Sequence, residues 1–177
     1  MSTALVLAAS MTLGQAEQIS PHYEHLKGLK QFVGQWQTSM TRDGVEIFAG
    51  TVTFKWTKTK SFLLCTYSDE QGECIGTEVF GWDPVTEKMR LWGFKPDGGR
   101  NEAVISVEGD VFSGDYDMIE PDGTTKKAVV RGKFSDQEFN VTVSYDGNGE
   151  SCFFRDDTLE IGAHALRTNN RVGGSLS

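Results

Sequence analysis

Residues 48–57 read Phe-Ala-Gly-Thr-Val-Thr-Phe-Lys-Trp-Thr. On an extended chain Phe48, Gly50, Val52, Phe54 and Trp56 face one way. Ala49, Thr51, Thr53, Lys55 and Thr57 face the other. A period of two, apolar against polar, marks a β-strand with one face in a core and one in water. The same alternation recurs on both sides of this stretch. It predicts further strands over 33–41, 61–68, 73–82, 87–94, 101–107, 110–119, 125–134, 137–145 and 150–157. Turn signals separate the runs: Arg42-Asp43-Gly44, Asp69 to Gly72, Trp82-Asp83-Pro84, Pro96 to Gly99, Glu108-Gly109-Asp110, Pro121-Asp122-Gly123 and Asp146 to Gly149. Gly supplies positive φ in such turns, and Asp and Pro start them.

Connections this short make neighbouring strands antiparallel, because a parallel crossover needs a dozen or more residues. An uninterrupted meander of about ten strands closes as an up-and-down barrel more readily than it splits into a Greek-key sandwich. The expected fold class is therefore all-β, an antiparallel barrel with a short N-terminal helix. The helix is announced by Ser20-Pro21, a cap followed by a proline in the first turn. Tyr23, Leu26, Leu29 and Phe32 then recur at near-helical spacing. A helix so short needs tertiary support, which it gains by covering one end of the barrel.

The chain has 177 residues and a net charge of −8, from 17 Lys+Arg against 25 Asp+Glu. That length suits one domain with a single core. An acidic chain without a basic cluster argues against nucleic acid as a partner. No apolar run reaches the roughly 18 residues of a spanning helix, so integral membrane association is not expected. Ala4 to Leu13 is a short apolar run that ends in Gly14-Gln15-Ala16, the pattern of a secretory h-region and cleavage site, although no basic residue precedes it. The expected organisation is a signal segment over 1–16, a barrel over 17–161 and a flexible tail over 162–177, with export to the periplasm or beyond. Cys65 and Cys74 flank a predicted turn. They are read either as a cross-strand disulfide or as two half-buried thiols, and Cys152 as core filling.

Phe32-Val33-Gly34-Gln35-Trp36 places a Gly-x-Trp where the helix meets the first strand. This string resembles the N-terminal signature of the calycins, the superfamily of lipocalins and fatty-acid-binding proteins. The Gly-Trp-Asp-Pro turn at 81–84 and the Gly-rich turn at 97–99 add a resemblance to a bacterial family of calycin-like proteins with no settled activity. The likeness spans roughly residues 22–157. It implies that Gly34 allows the bend from helix to strand and that the Trp36 indole plugs the closed end. It also implies that Arg155, near the last strand, lies over that ring as a cation–π partner.

Aromatic residues occur on nearly every predicted strand, as expected of a filled core or of a lined cavity. Phe54, Trp56, Trp92 and Tyr116 are the candidate wall of a pocket. Arg90, on the face shared by Trp92 and Phe94, is the candidate anchor for a ligand head group. Arg131 is read as outward. His22, His25 and His164 lack zinc-protease spacing, and haem ligation through His164 finds no supporting motif. No metal site and no cofactor are expected, and no catalytic residue is assigned. Asp115 and Asp117 share a face opposite Phe112, Tyr116 and Met118, so they are read as solvated rather than as an acid–base pair.

The leading expectation is non-catalytic binding of a small apolar or amphipathic molecule by a monomer or homodimer. One alternative is an isomerase, cyclase or hydrolase of small apolar substrates using the same cavity. The other is an interaction module with a filled core.

Overall fold

The computed structural model describes residues 18–42, 45–135, 138–146 and 159–164. A single helical turn, α1 (Tyr23–Leu26), runs into a 3-10 segment over Lys27–Phe32. Ten strands follow: β1 (Gly34–Arg42), β2 (Val45–Trp56), β3 (Phe62–Asp69), β4 (Cys74–Asp83), β5 (Lys88–Phe94), β6 (Arg100–Glu108), β7 (Val111–Ile119), β8 (Thr125–Phe134), β9 (Glu138–Asp146) and β10 (Leu159–His164). Each pairs antiparallel with the next, and β1 pairs with β10, so the sheet closes into a barrel. The closing register is short, Thr41 opposite Glu160 and Arg42 opposite Leu159. The all-β, up-and-down architecture is the one the alternation predicts. The last strand lies further along the chain than expected. The predicted strand at 150–157 falls outside the described residues, and β10 runs across the expected boundary between barrel and tail.

Cross-strand register sets which side chains point inward. Leu63, Phe80, Leu91, Ala103, Tyr116 and Ala128 follow one another across β3 to β8 as one inner row. The next row, Phe62, Gly81, Arg90, Val104 and Asp115, stands on the outside, because one step along a strand reverses the face. Leu63 and Leu91 are fully buried, whereas Phe62 is exposed.

One end of the barrel is filled from the 3-10 segment. Leu26 and Leu29 are fully buried beneath it. The Phe32 ring enters the barrel and meets Phe134 at 4.5 Å, Phe139 at 5.0 Å, Phe54 at 5.1 Å and Phe112 at 5.7 Å between centroids. Edge-on and tilted rings at these spacings add to the burial of apolar surface. Gly34 has φ +136°, a conformation that side chains disfavour, and it turns the chain from this segment into β1. Trp36 stands next to the plug: its Nε1 donates to the Phe32 carbonyl at 2.6 Å. The plug of this end is thus Phe32, with Trp36 half-buried beside it.

The Gly-Trp-Asp-Pro turn has a local account. A Cβ on Gly81 would lie 2.7 Å from the Phe62 ring, so that ring can lie flat on the outer wall. Trp82 stacks on His25 at 3.8 Å and so ties β4 to α1. Asp83 Oδ1 accepts from the Val85 amide at 2.9 Å and Oδ2 from the Thr86 hydroxyl at 2.8 Å. These bonds lower the Asp83 pKa, with the Thr86 hydroxyl the largest cause.

Cys65 and Cys74 do not form the cross-strand pair that was one of the two readings. Cys65 sits opposite Glu78 and is buried, whereas Cys74 sits opposite Ser68 and is exposed. The residue opposite Cys74 is thus three positions along β3 from Cys65. Both are free thiols. Among the described residues no helix is long and apolar enough to cross a membrane.

Candidate functional site: a cavity inside the barrel

Above Phe32 the barrel is hollow. The cavity measures about 380 Å³. Phe32, Phe54, Phe80 and Phe112 form its lower wall, with Val52, Ala128, Val130 and Val143 around them. It extends toward the end carrying the β3–β4 and β5–β6 turns, where Ile75, Phe94 and Lys95 line it. Phe94 is 55% and Ile75 38% exposed, so apolar side chains edge the mouth. Small side chains on the inner row leave the space empty. The inner row carries Ala103 and Ala128, which reach only a short way inward. Gly93, in register between Glu78 and Asn101, carries no side chain, which lets those two side chains close in over it instead of being pushed apart. A Cβ there would lie 3.3 Å from Glu78 Cγ and 3.2 Å from Asn101 Cβ.

The polar groups converge near that glycine. Tyr67 Oη donates to Glu78 Oε2 at 2.8 Å. Asn101 Oδ1 is buried and accepts no hydrogen bond among the described residues. Tyr116 completes the group. Burial pushes the Glu78 carboxyl up to about 7, against the lowering effect of the Tyr67 hydroxyl. Tyr67 and Tyr116 are raised well above the ordinary phenol value, in both cases mainly by burial. The Cys65 thiol is raised as well, by burial first and by the Glu78 charge second. At the mouth Lys95 pairs with Glu120 at 3.5 Å, and Lys126 shares the same carboxylate at 3.5 Å.

Of the residues singled out in the sequence, Phe54, Tyr116 and Trp36 line this cavity. Trp56 does not; its ring packs edge-on against Tyr23 at 5.5 Å, near the helical end. Arg90 and Trp92 do not line it either. They alternate with Leu91, which is fully buried, so they belong to the outer face. The expectation of an inward Arg90 followed its shared face with Trp92 and Phe94; that face is the outer one at Arg90 and Trp92, and of the three Phe94, at the end of β5, reaches the cavity mouth. Arg90 Nε is nonetheless buried without a hydrogen bond among the described residues, and its charge helps to lower the Asp83 pKa. Gly34 holds the bend at the start of β1. Arg155 and Cys152 lie outside the described residues.

Asp117 pairs with Lys127 at 3.1 Å and Asp115 is exposed. Among the described residues no cluster of His, Cys, Asp or Glu is placed to hold a metal ion.

Tyr67, Glu78 and Asn101 were not singled out in the sequence. The signal was present in the parity. Glu78 shares its face with Gly76, Phe80 and Trp82 on β4, and Asn101 with Ala103 and Ile105 on β6. Reading those strands through a charged or amide residue puts both inside.

No protein-family model matches the chain. No curated protein matches it either. Among solved structures it is similar to the crystal structure of Rv2717c from M. tuberculosis, at 15% identity and a TM-score of 0.52, over 85% of this chain and 100% of that one. At that identity the likeness concerns the fold alone, and it agrees with an antiparallel, barrel-like β-sheet.

Proposed function

We propose that this protein is a calycin-like binding barrel that holds one small amphipathic molecule in its interior without transforming it. The observation that carries the reading is the form of the cavity: about 380 Å³, aromatic and aliphatic below, with one convergent polar group above. That volume lies within the roughly 300–1,000 Å³ of small-molecule sites, whose walls are apolar with a few placed polar groups. The apolar body of the ligand rests on Phe54, Phe80 and Phe112, and its polar end meets Glu78, Tyr67 and Asn101. Export through the 1–16 segment is part of the same proposal, since a carrier of sparingly soluble molecules works between compartments.

The test is titration with the neutral fluorophore N-phenyl-1-naphthylamine. One molecule per barrel should bind, with a rise in emission. Ala128→Phe, which fills the space from the inner row, should abolish the rise while far-UV circular dichroism stays unchanged. Undiminished binding in that variant would move the site to the outer wall and end the cavity reading.

A second reading rests on the Tyr67–Glu78 pair, a polar pair within hydrogen-bond reach inside the pocket. A carboxylate that changes protonation near neutral pH in an apolar site is suited to removing a proton next to a carbonyl. Exchange of the α-hydrogens of cyclohexanone in heavy water, followed by NMR, tests it. The exchange should be catalysed by the protein and lost in Glu78→Gln.

A further inference from the structure

We propose that the polar end of the cavity selects a cationic head, a primary or secondary aliphatic amine, over a carboxylate. This rests on the cavity-binding reading and names its ligand class. The interior polar groups set the preference. Glu78 presents a carboxylate, and Tyr67 already spends its hydroxyl proton on it. Asn101 Oδ1 is a buried acceptor without a donor among the described residues. Glu78, Gly93 and Asn101 stand along a single cross-strand row, and the Asn101 side chain turns its Cβ and amide nitrogen toward the notch at Gly93. An ammonium has several N–H donors and no acceptor, so it pairs with the Glu78 carboxylate without bringing a competing acceptor. A carboxylate in the same place would bring charge against charge at Glu78.

Among the described residues the groups facing Glu78 are Tyr67 and Cys65 from β3 and Tyr116 from β7, and none of these supplies a positive charge. Lys95, the cation among the lining residues, stands at the mouth beyond the end of β5 and is engaged by Glu120. The net charge of −8 acts in the same direction, by drawing cations toward the protein. As an ammonium enters, it favours the ionised form of Glu78, so the charged pair forms inside the barrel where few water molecules compete.

The experiment compares octylamine, octanol and octanoate by isothermal titration at pH 8, on the wild type and on Glu78→Gln. The three probes share a chain and differ in the head. Octylamine should bind at least tenfold more tightly than octanoate, with octanol between them. In Glu78→Gln the amine should fall to the level of octanol. Octanoate binding as tightly as octylamine, or more tightly, overturns the inference and leaves the cavity reading standing. So does an amine preference that survives in Glu78→Gln. Failure of all three probes removes the cavity reading itself, and this inference with it. The wild-type ranking decides the matter even if the variant fails to fold.

Discussion

Tyr67 and Glu78 are diagonal neighbours on adjacent strands, and their side chains meet at 2.8 Å inside the barrel. Glu78 directly faces Cys65, and Tyr67 directly faces Gly76. The hydrogen bond crosses that diagonal because Gly76 leaves room for the phenol. Burial brings the carboxyl held this way up to about 7, into the neutral range.

The consequence for stability has a definite sign. The folded-state pKa of Glu78 is raised from 4.5 to about 7. The contribution of the protonated form is complete below the unfolded value and is lost as pH rises through the folded one. Glu78→Gln has no such loss. Its stability relative to wild type should therefore increase between pH 5 and pH 8, by up to about 3 kcal/mol. Urea unfolding at a series of pH values checks this, and a flat difference would show that the group is solvated. Tyr67→Phe removes a bond that lowers the Glu78 pKa, so its NMR titration midpoint should move upward.

Gly132 lies beneath the ring of Phe139. A Cβ at that position would stand 2.5 Å from Cε2 and 2.6 Å from Cζ. The ring cannot withdraw, since it is stacked on Phe134 at 4.1 Å and meets Phe32 at 5.0 Å. Gly132→Ala should cost about 1–3 kcal/mol by overpacking. The denaturation midpoint should fall with the urea dependence unchanged.

Phe32 joins the helical segment to the aromatic end of the core. Phe32→Ala removes a ring that contacts Phe54, Phe112, Phe134 and Phe139, and should destabilise the barrel by about 3–5 kcal/mol. It should also lengthen the cavity downward. A lowered Tm together with binding of a longer alkylamine would show both effects.

The two described thiols should differ in reactivity. Cys74 is exposed, while Cys65 is fully buried and its thiol is raised by burial. Iodoacetamide followed by peptide mass mapping should label Cys74 within minutes under native conditions. Cys65 should react only after denaturant is added.

Much of this architecture follows from local chemistry. Alternation in 48–57 and its neighbours determines strands, the short Asp- and Gly-rich connections make them antiparallel, and the spacing of Tyr23, Leu26, Leu29 and Phe32 determines the helical turn. Each of these is a property of consecutive residues, governed by backbone sterics and by the period of the side chains. What tertiary structure alone decided is which face of each strand turned inward and what met there. Arg90 and Trp92 look like pocket residues on their own strand, yet Leu91 and the neighbouring strands put that face outside. Glu78 and Asn101 lie on different strands and gain meaning only through Gly93 between them. The chance of a Cys65–Cys74 pair vanished with the β3–β4 register, which sets Glu78 rather than Cys74 opposite Cys65. Registers and facing residues are sums over strands distant in sequence, so no single stretch of the chain contains them.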